Sequence, residues 1–247
     1  PCTLMTVFLT ILAMVSGAHC GAANQWPAWR GPNANGSTTT GDYPVRWTTD
    51  TAEWKLALPG KGGSTPIVWD GVIYLTTPLD GEDALMAVDL DGKVVWQTRL
   101  GESSEPKHRR LGSSCNSSPA TDGQAVFVYF RSGRFAAVEL DGTVRWSLNL
   151  TDQFGPENLY WDQGSSPVVT DRHVILTRMH DGESWVAGFD KQSGETLWRE
   201  PRNFETPPEN DNGYTTPVIF DNSGTRALLI WGADRLTAHR LADGDTL

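Results

Sequence analysis

The chain has 247 residues, enough for one or two domains with a large buried core. Its 20 Lys and Arg against 30 Asp and Glu give a formal charge of −10, which argues against a protein that follows a nucleic-acid backbone with a basic surface. Hydrophobic residues at 38% and charged residues at 20% are typical of a folded chain and exclude a disordered one.

The first 23 residues are predicted to be a signal peptide. No basic n-region precedes its apolar run, so we expect either that the N-terminus is truncated or that the true start is Met5. That run, Val7 to Val15, has the length of an h-region and is too short to span a bilayer. Cleavage is expected after Ala18 or a few residues later. The less favoured alternative is a lipid anchor at Cys20, since His19 stands where a lipobox has a small residue. No other segment could cross a membrane, so we expect an exported chain, periplasmic or extracellular.

Four segments then repeat one pattern at a spacing of about 50 residues, starting near residues 64, 117, 165 and 215. Each begins with two Ser or Thr residues and a Pro, and the first three end in a Trp. These recurring residues are Pro66, Pro119, Pro167 and Pro217, with Trp96, Trp146 and Trp198. The predicted organisation is therefore an N-terminal extension over 24–63 and repeats over 64–247, the last of them cut short.

Each repeat is predicted to form four short strands, A to D. Strand A contains the Pro, strand B is an apolar run such as Val72–Thr76, strand C is a run such as Leu85–Asp89, and strand D ends at the Trp. Asp-Gly and Ser-Gly pairs such as Asp70-Gly71 fall between strands, where a tight hairpin needs positive φ. Four antiparallel strands per repeat of this length predict an all-β protein, a β-propeller with about four blades present.

Two motifs resemble a known family. The pattern A-x-D-x-x-G-x-x-x-W at Ala87–Trp96 resembles the repeat of pyrroloquinoline-quinone (PQQ)-like propellers. The segment Trp26–Gly36 resembles a W-P-x-[WF]-R-G-P signature found before such propellers in exported proteins of planctomycete-like bacteria. The resemblance implies a ring of seven or eight blades, so this ring is incomplete. Glu53–Leu56 would then be an outer strand that completes the last blade when the ring closes.

The repeated tryptophans are predicted to have a structural role. Trp96, Trp146 and Trp198 occupy one register of the repeat, and packing between neighbouring blades explains this better than ligand stacking does.

The candidate binding residues lie in the long loops that join strand D to the next strand A, over residues 101–116, 151–164 and 201–213. Long loops on a rigid scaffold are where binding residues concentrate. A cationic loop beside two acidic, aromatic loops would form a polar mouth on one face. The candidates are Lys107, His108, Arg109, Arg110, Glu157, Tyr160, Trp161, Asp162, Glu209, Asp211 and Tyr214.

Two function classes remain open. The favoured one is an exported, non-catalytic propeller that binds a protein, peptide or polysaccharide on the loop face, with no catalytic residue, metal or cofactor. The alternative is a quinoprotein dehydrogenase that oxidises alcohols or sugars with PQQ and Ca²⁺. The resemblance would then imply a general-base Asp, a Ca²⁺ site and often a vicinal Cys pair. The three cysteines are Cys2, Cys20 and Cys115, none adjacent to another. Asp162, Glu209 and Asp211 could offer oxygen ligands, but their spacing specifies no metal.

Overall fold

The computed structural model describes residues 25–39, 41, 43–222 and 224–247. The predicted signal peptide and Cys20 lie outside these residues. The described chain forms three four-stranded antiparallel sheets and one three-stranded sheet, and neighbouring strands in every sheet are consecutive in the chain. The predicted all-β fold of four-stranded blades is therefore confirmed, with strand A at one edge of each sheet and strand D at the other.

The strands follow the predicted order A, B, C, D within each repeat. The first two sheets contain β1 (Ile67–Trp69), β2 (Val72–Leu79), β3 (Glu82–Asp89), β4 (Val94–Glu102), β5 (Ala120–Thr121), β6 (Ala125–Tyr129), β7 (Arg134–Glu139) and β8 (Val144–Asn149). The last two contain β9 (Val168–Val169), β10 (His173–Arg178), β11 (Trp185–Asp190), β12 (Thr196–Pro201), β13 (Val218–Asn222), β14 (Thr225–Gly232) and β15 (Arg235–Arg240).

One short helix, α1 (Leu150–Phe154), follows β8 in the described chain. Asn149 caps it by accepting a hydrogen bond from the backbone N–H of Thr151. None of the helices in the described residues is long and apolar enough to cross a membrane.

The A–B hairpin of the first sheet shows why the Asp-Gly pairs mark turns. Asp70 and Gly71 have φ values of 48° and 75°, and they join Trp69 to its partner Val72. Positive φ at both central residues is the type I′ geometry that matches the twist of two paired strands. The sequence therefore places this hairpin by local chemistry alone.

Successive sheets pack face to face through separate hydrophobic clusters. Val128 lies in the cluster between the first and second sheets, Phe135 in the cluster between the second and third, and Ile230 in the cluster between the third and fourth. Apolar residues on both faces of a middle sheet are therefore buried, as in stacked propeller blades.

The three repeated tryptophans contact the next sheet, but they do not end their strands. Each is the third residue of strand D, which continues for three to six residues further, so the predicted strand end was wrong. The strand continues because strand C still offers backbone partners, as where β4 pairs with β3 as far as Glu82 and Glu102.

Each of these indoles covers the glycine of the C–D turn in the next repeat. The Trp146 Nε1 donates to the carbonyl of Lys191 at 2.9 Å, and a Cβ at Gly194 would lie 2.8 Å from its ring. Trp96 likewise donates to Leu140 at 3.0 Å and covers Gly142. Close approach of a flat ring thus requires glycine at this turn position.

Trp54 makes the same contact with the first sheet. Its Nε1 donates to the carbonyl of Leu90 at 2.7 Å, and its ring covers Gly92. The segment 53–56 that was predicted as an outer strand is not in a strand here. No strand C pairs with its backbone among the described residues, and a strand is defined by that pairing.

The segment after residue 24 lies along the free edge of β1. Trp26 and Val68 exchange two backbone hydrogen bonds of 2.8 and 3.0 Å, and the carbonyl of Pro27 accepts from the N–H of Thr121 at 2.8 Å. This segment therefore adds inside strand A and joins the first two sheets at their inner edges.

Candidate functional site

The three long loops that join strands D and A pack against one another at one end of the sheets. The backbone N–H of Lys107 in the first loop donates to Asp162 in the second at 2.8 Å. The N–H of Tyr160 in the second loop donates to the Asn212 side chain in the third at 3.2 Å. The loops thus form one layer, which we call the loop face.

Two candidate carboxylates lie in a buried ionic cluster within this layer. Glu157 Oε1 is 3.4 Å from Lys107 Nζ and 3.2 Å from Arg131 Nη1. Asp162 Oδ1 is 3.2 Å from Arg131 Nε. Lys107 Nζ also donates to the carbonyl of Leu159. Two cations and two anions therefore balance in charge and hold the first two loops together.

The interior of this cluster is closed. Burial raises the pKa of Glu157, and the nearby cations Lys107, Arg131 and Arg178 oppose that effect without cancelling it. The second oxygens of Glu157 and Asp162 are buried and have no hydrogen-bond partner among the described residues. Asp162 Oδ2 lies against Gly112, where any side chain would overlap with it. The cluster thus has little room for a ligand.

Aromatic candidates form a second group on the loop face. The His108 and Trp161 rings are 4.1 Å apart, and the Tyr160 ring is 5.2 Å from Trp161. Tyr214 accepts a hydrogen bond from the N–H of Trp161 at 3.0 Å. Burial raises the pKa of Tyr214. Rings from all three loops are therefore joined into one group whose outer members face solvent.

The remaining candidate residues belong neither to the ionic cluster nor to the aromatic group. Arg109 and Arg110 are exposed, and the Arg109 side chain makes a distant, solvent-exposed ion pair with Glu105 at 3.7 Å. Their carbonyls accept from Lys61 Nζ at 3.4 and 2.7 Å. Glu209 is exposed with a φ of 71°, while Asp211 accepts from the Asn212 side chain at 2.9 Å. The structure thus brings Lys107, His108, Glu157, Tyr160, Trp161, Asp162 and Tyr214 together and leaves Arg109, Arg110, Glu209 and Asp211 outside the two groups.

Sequence reasoning missed residues that lie in or beside the B–C turns. Arg131 follows β6 and pairs with both buried carboxylates. Arg178, at the end of β10, donates to the carbonyls of Phe154 and Gly155 at 2.6 and 2.9 Å. The sequence feature that could have indicated these residues is an Arg at or just after the end of an apolar strand B, because a side chain at that position reaches the loop face.

Two further titratable groups near this face were also missed. Asp83 is fully buried and accepts from the Ser132 hydroxyl, and burial raises its pKa to about 6. His180 Nδ1 accepts from the N–H of Asn158 at 3.1 Å, while its Nε2 lies 3.1 Å from the carbonyl of Glu183. These two bonds require the neutral His180 ring with its proton on Nε2, and burial lowers its pKa.

Among the described residues, the three suggested oxygen ligands are not gathered into one Ca²⁺ site. Asp162, one of three suggested metal ligands, is bonded to Arg131 and to the Lys107 backbone, so its charge is already neutralised. Within the described part of the chain, no group of three or more His, Cys, Asp or Glu residues could hold a metal ion. Cys115 is buried, and its thiol pKa is raised to about 11 by burial.

Comparison with known proteins gives matches of two kinds. The Yersinia pestis outer membrane protein assembly factor BamB is 26% identical over 197 residues, which is 78% of this chain and 44% of that protein. The Pseudomonas putida quinohemoprotein alcohol dehydrogenase ADH-IIG is 28% identical over 165 residues, 63% of this chain and 22% of that protein.

Solved structures show the same fold. The quinohemoprotein alcohol dehydrogenase of Comamonas testosteroni has a TM-score of 0.59 at 14% identity, covering 93% of this chain and 41% of its own. BamB of Moraxella catarrhalis has a TM-score of 0.50 at 18% identity, covering 74% and 46%. The chain spans less than half the length of these relatives.

The profile of a PQQ-repeat family, described as outer membrane protein assembly factor BamB, matches residues 37–247. That span includes all four sheets and the loop face. The predicted PQQ-like propeller is therefore confirmed, and the chain belongs to this family of PQQ-repeat propellers.

Proposed function

We propose that this chain is an exported, non-catalytic propeller whose loop face binds a protein partner. The proposal rests on one contrast on that face: the carboxylates are bonded within the fold, whereas apolar and aromatic side chains are exposed to solvent. Its carboxylates Glu157 and Asp162 are buried in ion pairs, whereas Leu111, Tyr160 and Trp161 expose 69%, 54% and 43% of their surfaces.

Such a surface has the composition of a protein interface. Aromatic residues and Arg are enriched at the centres of interfaces, and Trp161 and Tyr160 lie in the same loop layer as Arg109 and Arg110. The cross-loop bonds of Lys107 and Tyr160 fix the backbone before any partner arrives. A preorganised surface loses less conformational entropy on binding, which favours affinity.

Arg109 and Arg110 are two exposed cations on the loop face that could pair with an acidic segment of a partner. Glu105, 3.7 Å from Arg109, would compete for that residue. A protein partner is preferred over a peptide or a polysaccharide because one relative is named an assembly factor. Oligosaccharides could also stack on Trp161, and they are an alternative outcome of the test.

Photo-crosslinking tests this proposal directly. A photoreactive amino acid replaces Leu111 on the loop face or, as the matched control, the exposed Leu90 on the opposite end of the sheets. Discrete protein crosslinks in the source organism are expected at position 111 and not at position 90. They should weaken when Trp161→Ala or Arg110→Glu is added. Equal crosslinking at both positions, or none at 111, contradicts the proposal.

The dehydrogenase alternative is favoured only by the similarity to ADH-IIG. The proposed function needs neither PQQ nor Ca²⁺. Calorimetry of the purified protein with PQQ and Ca²⁺, alongside a dye-linked dehydrogenase assay, separates the two. Submicromolar PQQ binding with substrate-dependent dye reduction would establish the alternative instead.

Export is proposed separately, on the apolar run at Val7–Val15. Fractionation of the source organism followed by N-terminal sequencing tests it. The expected result is a periplasmic or extracellular protein that begins after residue 18, 22 or 23, and a protein retained in the cytoplasm with Val7–Val15 intact contradicts it. Radiolabelled fatty acid in the product would establish the lipid anchor at Cys20.

A further inference from the structure

A cavity of about 560 Å³ lies along the inner edges of the A strands. One wall is the segment 27–34, and the other consists of the A strands β9 and β13 with the residues just before them. The volume is within the range of about 300–1,000 Å³ that is typical of ligand sites. The cavity is separate from the ionic cluster and from the aromatic group of the loop face.

The polar groups that matter for this cavity are the backbone N–H and C=O groups at the inner edges of the A strands. In the first sheet, the inward N–H and C=O of Val68 are both bonded to Trp26. In the second sheet, the inward N–H of Thr121, at the equivalent register, is bonded to Pro27. The chain itself therefore shows that an extended backbone adds to this edge.

The equivalent residues of the third and fourth sheets are Val169 and Ile219, and both line the cavity. In the third sheet the N–H of Thr170 donates to the carbonyl of His173, so the next pair, Val169 with Val174, is one without hydrogen bonds. In the fourth sheet the register puts Ile219 three pairs from the Asn222–Thr225 pair that closes the turn, so the same alternation gives Ile219 and Leu228 a pair without hydrogen bonds. The N–H and C=O groups of Val169 and Ile219 therefore point inward. No partner bonds to them among the described residues.

The walls of the cavity select for apolar side chains. Trp29 is 36% exposed, and Pro32, Pro167 and Pro217 line the same space. Aromatic and proline surfaces bind the apolar and proline side chains of an extended peptide, and proline in the peptide lowers the entropy lost on binding because it restricts the free backbone. Asp221 and Arg226, which face each other across β13 and β14, also line the cavity and leave its net charge near zero.

We propose that this cavity binds an extended, apolar peptide segment of a partner protein by strand addition to Val169 or Ile219. The peptide backbone accepts from the inward N–H of one of these residues and donates to its carbonyl. An apolar or proline side chain of the peptide packs on Trp29. The bound segment would make, at the third or fourth sheet, the same kind of backbone hydrogen bonds that Gln25–Pro27 makes with the inner edges of the first two sheets.

The probe is a dye-labelled, end-blocked peptide with the sequence of residues 25–30, titrated against the full-length protein and followed by fluorescence anisotropy. Trp29→Ala removes the aromatic wall. The double variant Val169→Pro and Ile219→Pro removes both inward N–H groups, which the sheet ladders do not use. We expect at least tenfold weaker binding for each, corresponding to about 1.4 kcal/mol.

Trp161→Ala on the loop face is the matched control for Trp29→Ala and should leave peptide binding unchanged. Both positions are partly exposed, so these two variants should fold even if the proline pair does not. Three results would each overturn the proposal: no binding at millimolar peptide, binding insensitive to Trp29→Ala, or equal loss with Trp161→Ala. Loss of loop-face crosslinks with retained peptide binding would overturn the proposed function alone.

Discussion

The contact between Trp146 and Gly194 gives the sharpest test of how neighbouring blades are held together. The Trp146 side chain is 8% exposed, donates to Lys191 and packs edge to face on Phe135 at 5.0 Å. A buried aromatic removes about 150–250 Å² from water, worth about 4–6 kcal/mol at about 25 cal/mol per Å². Residual structure in the unfolded chain lowers this, so Trp146→Ala should cost about 3–5 kcal/mol.

Trp146→Phe separates the ring from its hydrogen bond. Phenylalanine keeps an aromatic ring beside Phe135 but leaves the Lys191 carbonyl without its donor. We expect a cost of about 1–2 kcal/mol, because a lost hydrogen bond and a smaller ring each contribute about 1 kcal/mol or less. Trp161→Ala, at a site 43% exposed, should cost under about 1 kcal/mol and serves as the control.

Gly194→Ala adds the decisive comparison. Gly194 has a φ of 76°, so alanine is strained there whatever surrounds it, and its Cβ would also lie 2.8 Å from the Trp146 ring. The steric part, about 1–3 kcal/mol, should disappear when Trp146 is already alanine. The two substitutions should therefore be coupled by at least about 1 kcal/mol.

The assay is urea denaturation of the purified full-length protein, the four single variants and the double variant Trp146→Ala/Gly194→Ala, followed by tryptophan fluorescence and far-UV circular dichroism. Thermal midpoints at one fixed scan rate provide the second readout, with Trp146→Ala lower by roughly 6–20 °C. If the costs of Trp146→Ala and Gly194→Ala in free energy of unfolding add to within about 0.5 kcal/mol, the contact between the Trp146 ring and Gly194 does not contribute to stability.

Four further outcomes follow from the buried groups. Because the pKa of His180 is lowered in the folded chain, the stability that the neutral ring contributes is complete above about pH 6.5 and is lost as pH falls below that value. His180→Asn should therefore flatten this part of the curve of stability against pH. Because the pKa of Asp83 is raised to about 6, the free energy of unfolding should fall as pH rises from about 4 to 6. At pH 7, Asp83→Asn should raise the free energy of unfolding by on the order of 2 kcal/mol. A lower free energy of unfolding in this variant would show that the Asp83 charge is stabilising. The buried Cys115 thiol, with a pKa of about 11, should resist alkylation at pH 8 until urea unfolds the chain, as measured by mass spectrometry of its peptide. Arg131→Ala leaves the Glu157 and Asp162 carboxylates short of a cation and should cost about 3–5 kcal/mol in denaturation, so a neutral effect would refute the ionic cluster.

Local patterns in the sequence were enough to predict the blades. The apolar strand B runs and the turn glycines each act within a few residues, so they specify hairpins wherever they occur, and their recurrence about every 50 residues gave the blades. The repeated Trp positions also predicted a contact that recurs at one register. The end of strand D was wrong because strand length depends on how far strand C offers backbone partners, as β4 shows by pairing to Glu102.

The candidate site could be predicted only as a set of loops. Lys107 and Asp162 are 55 residues apart, and nothing local indicates that they bond. Asp162 also pairs with Arg131, which lies in a B–C turn and not in one of the three long loops. The role of these loop residues in binding stays a prediction, while their mutual bonds are a property of the fold.

The sequence by itself thus determined the number and order of strands in each blade, because backbone conformation and strand periodicity are local properties. Only the tertiary structure decided which charges neutralise each other, which aromatic residues stay exposed and where the segment from Gln25 to Pro27 lies. These outcomes depend on residues brought together from separate blades, whose distances follow from sheet packing. An ion pair or an exposed ring has no signature in its own stretch of chain, and so the loop face and the cavity beside Trp29 emerge only from the packed sheets.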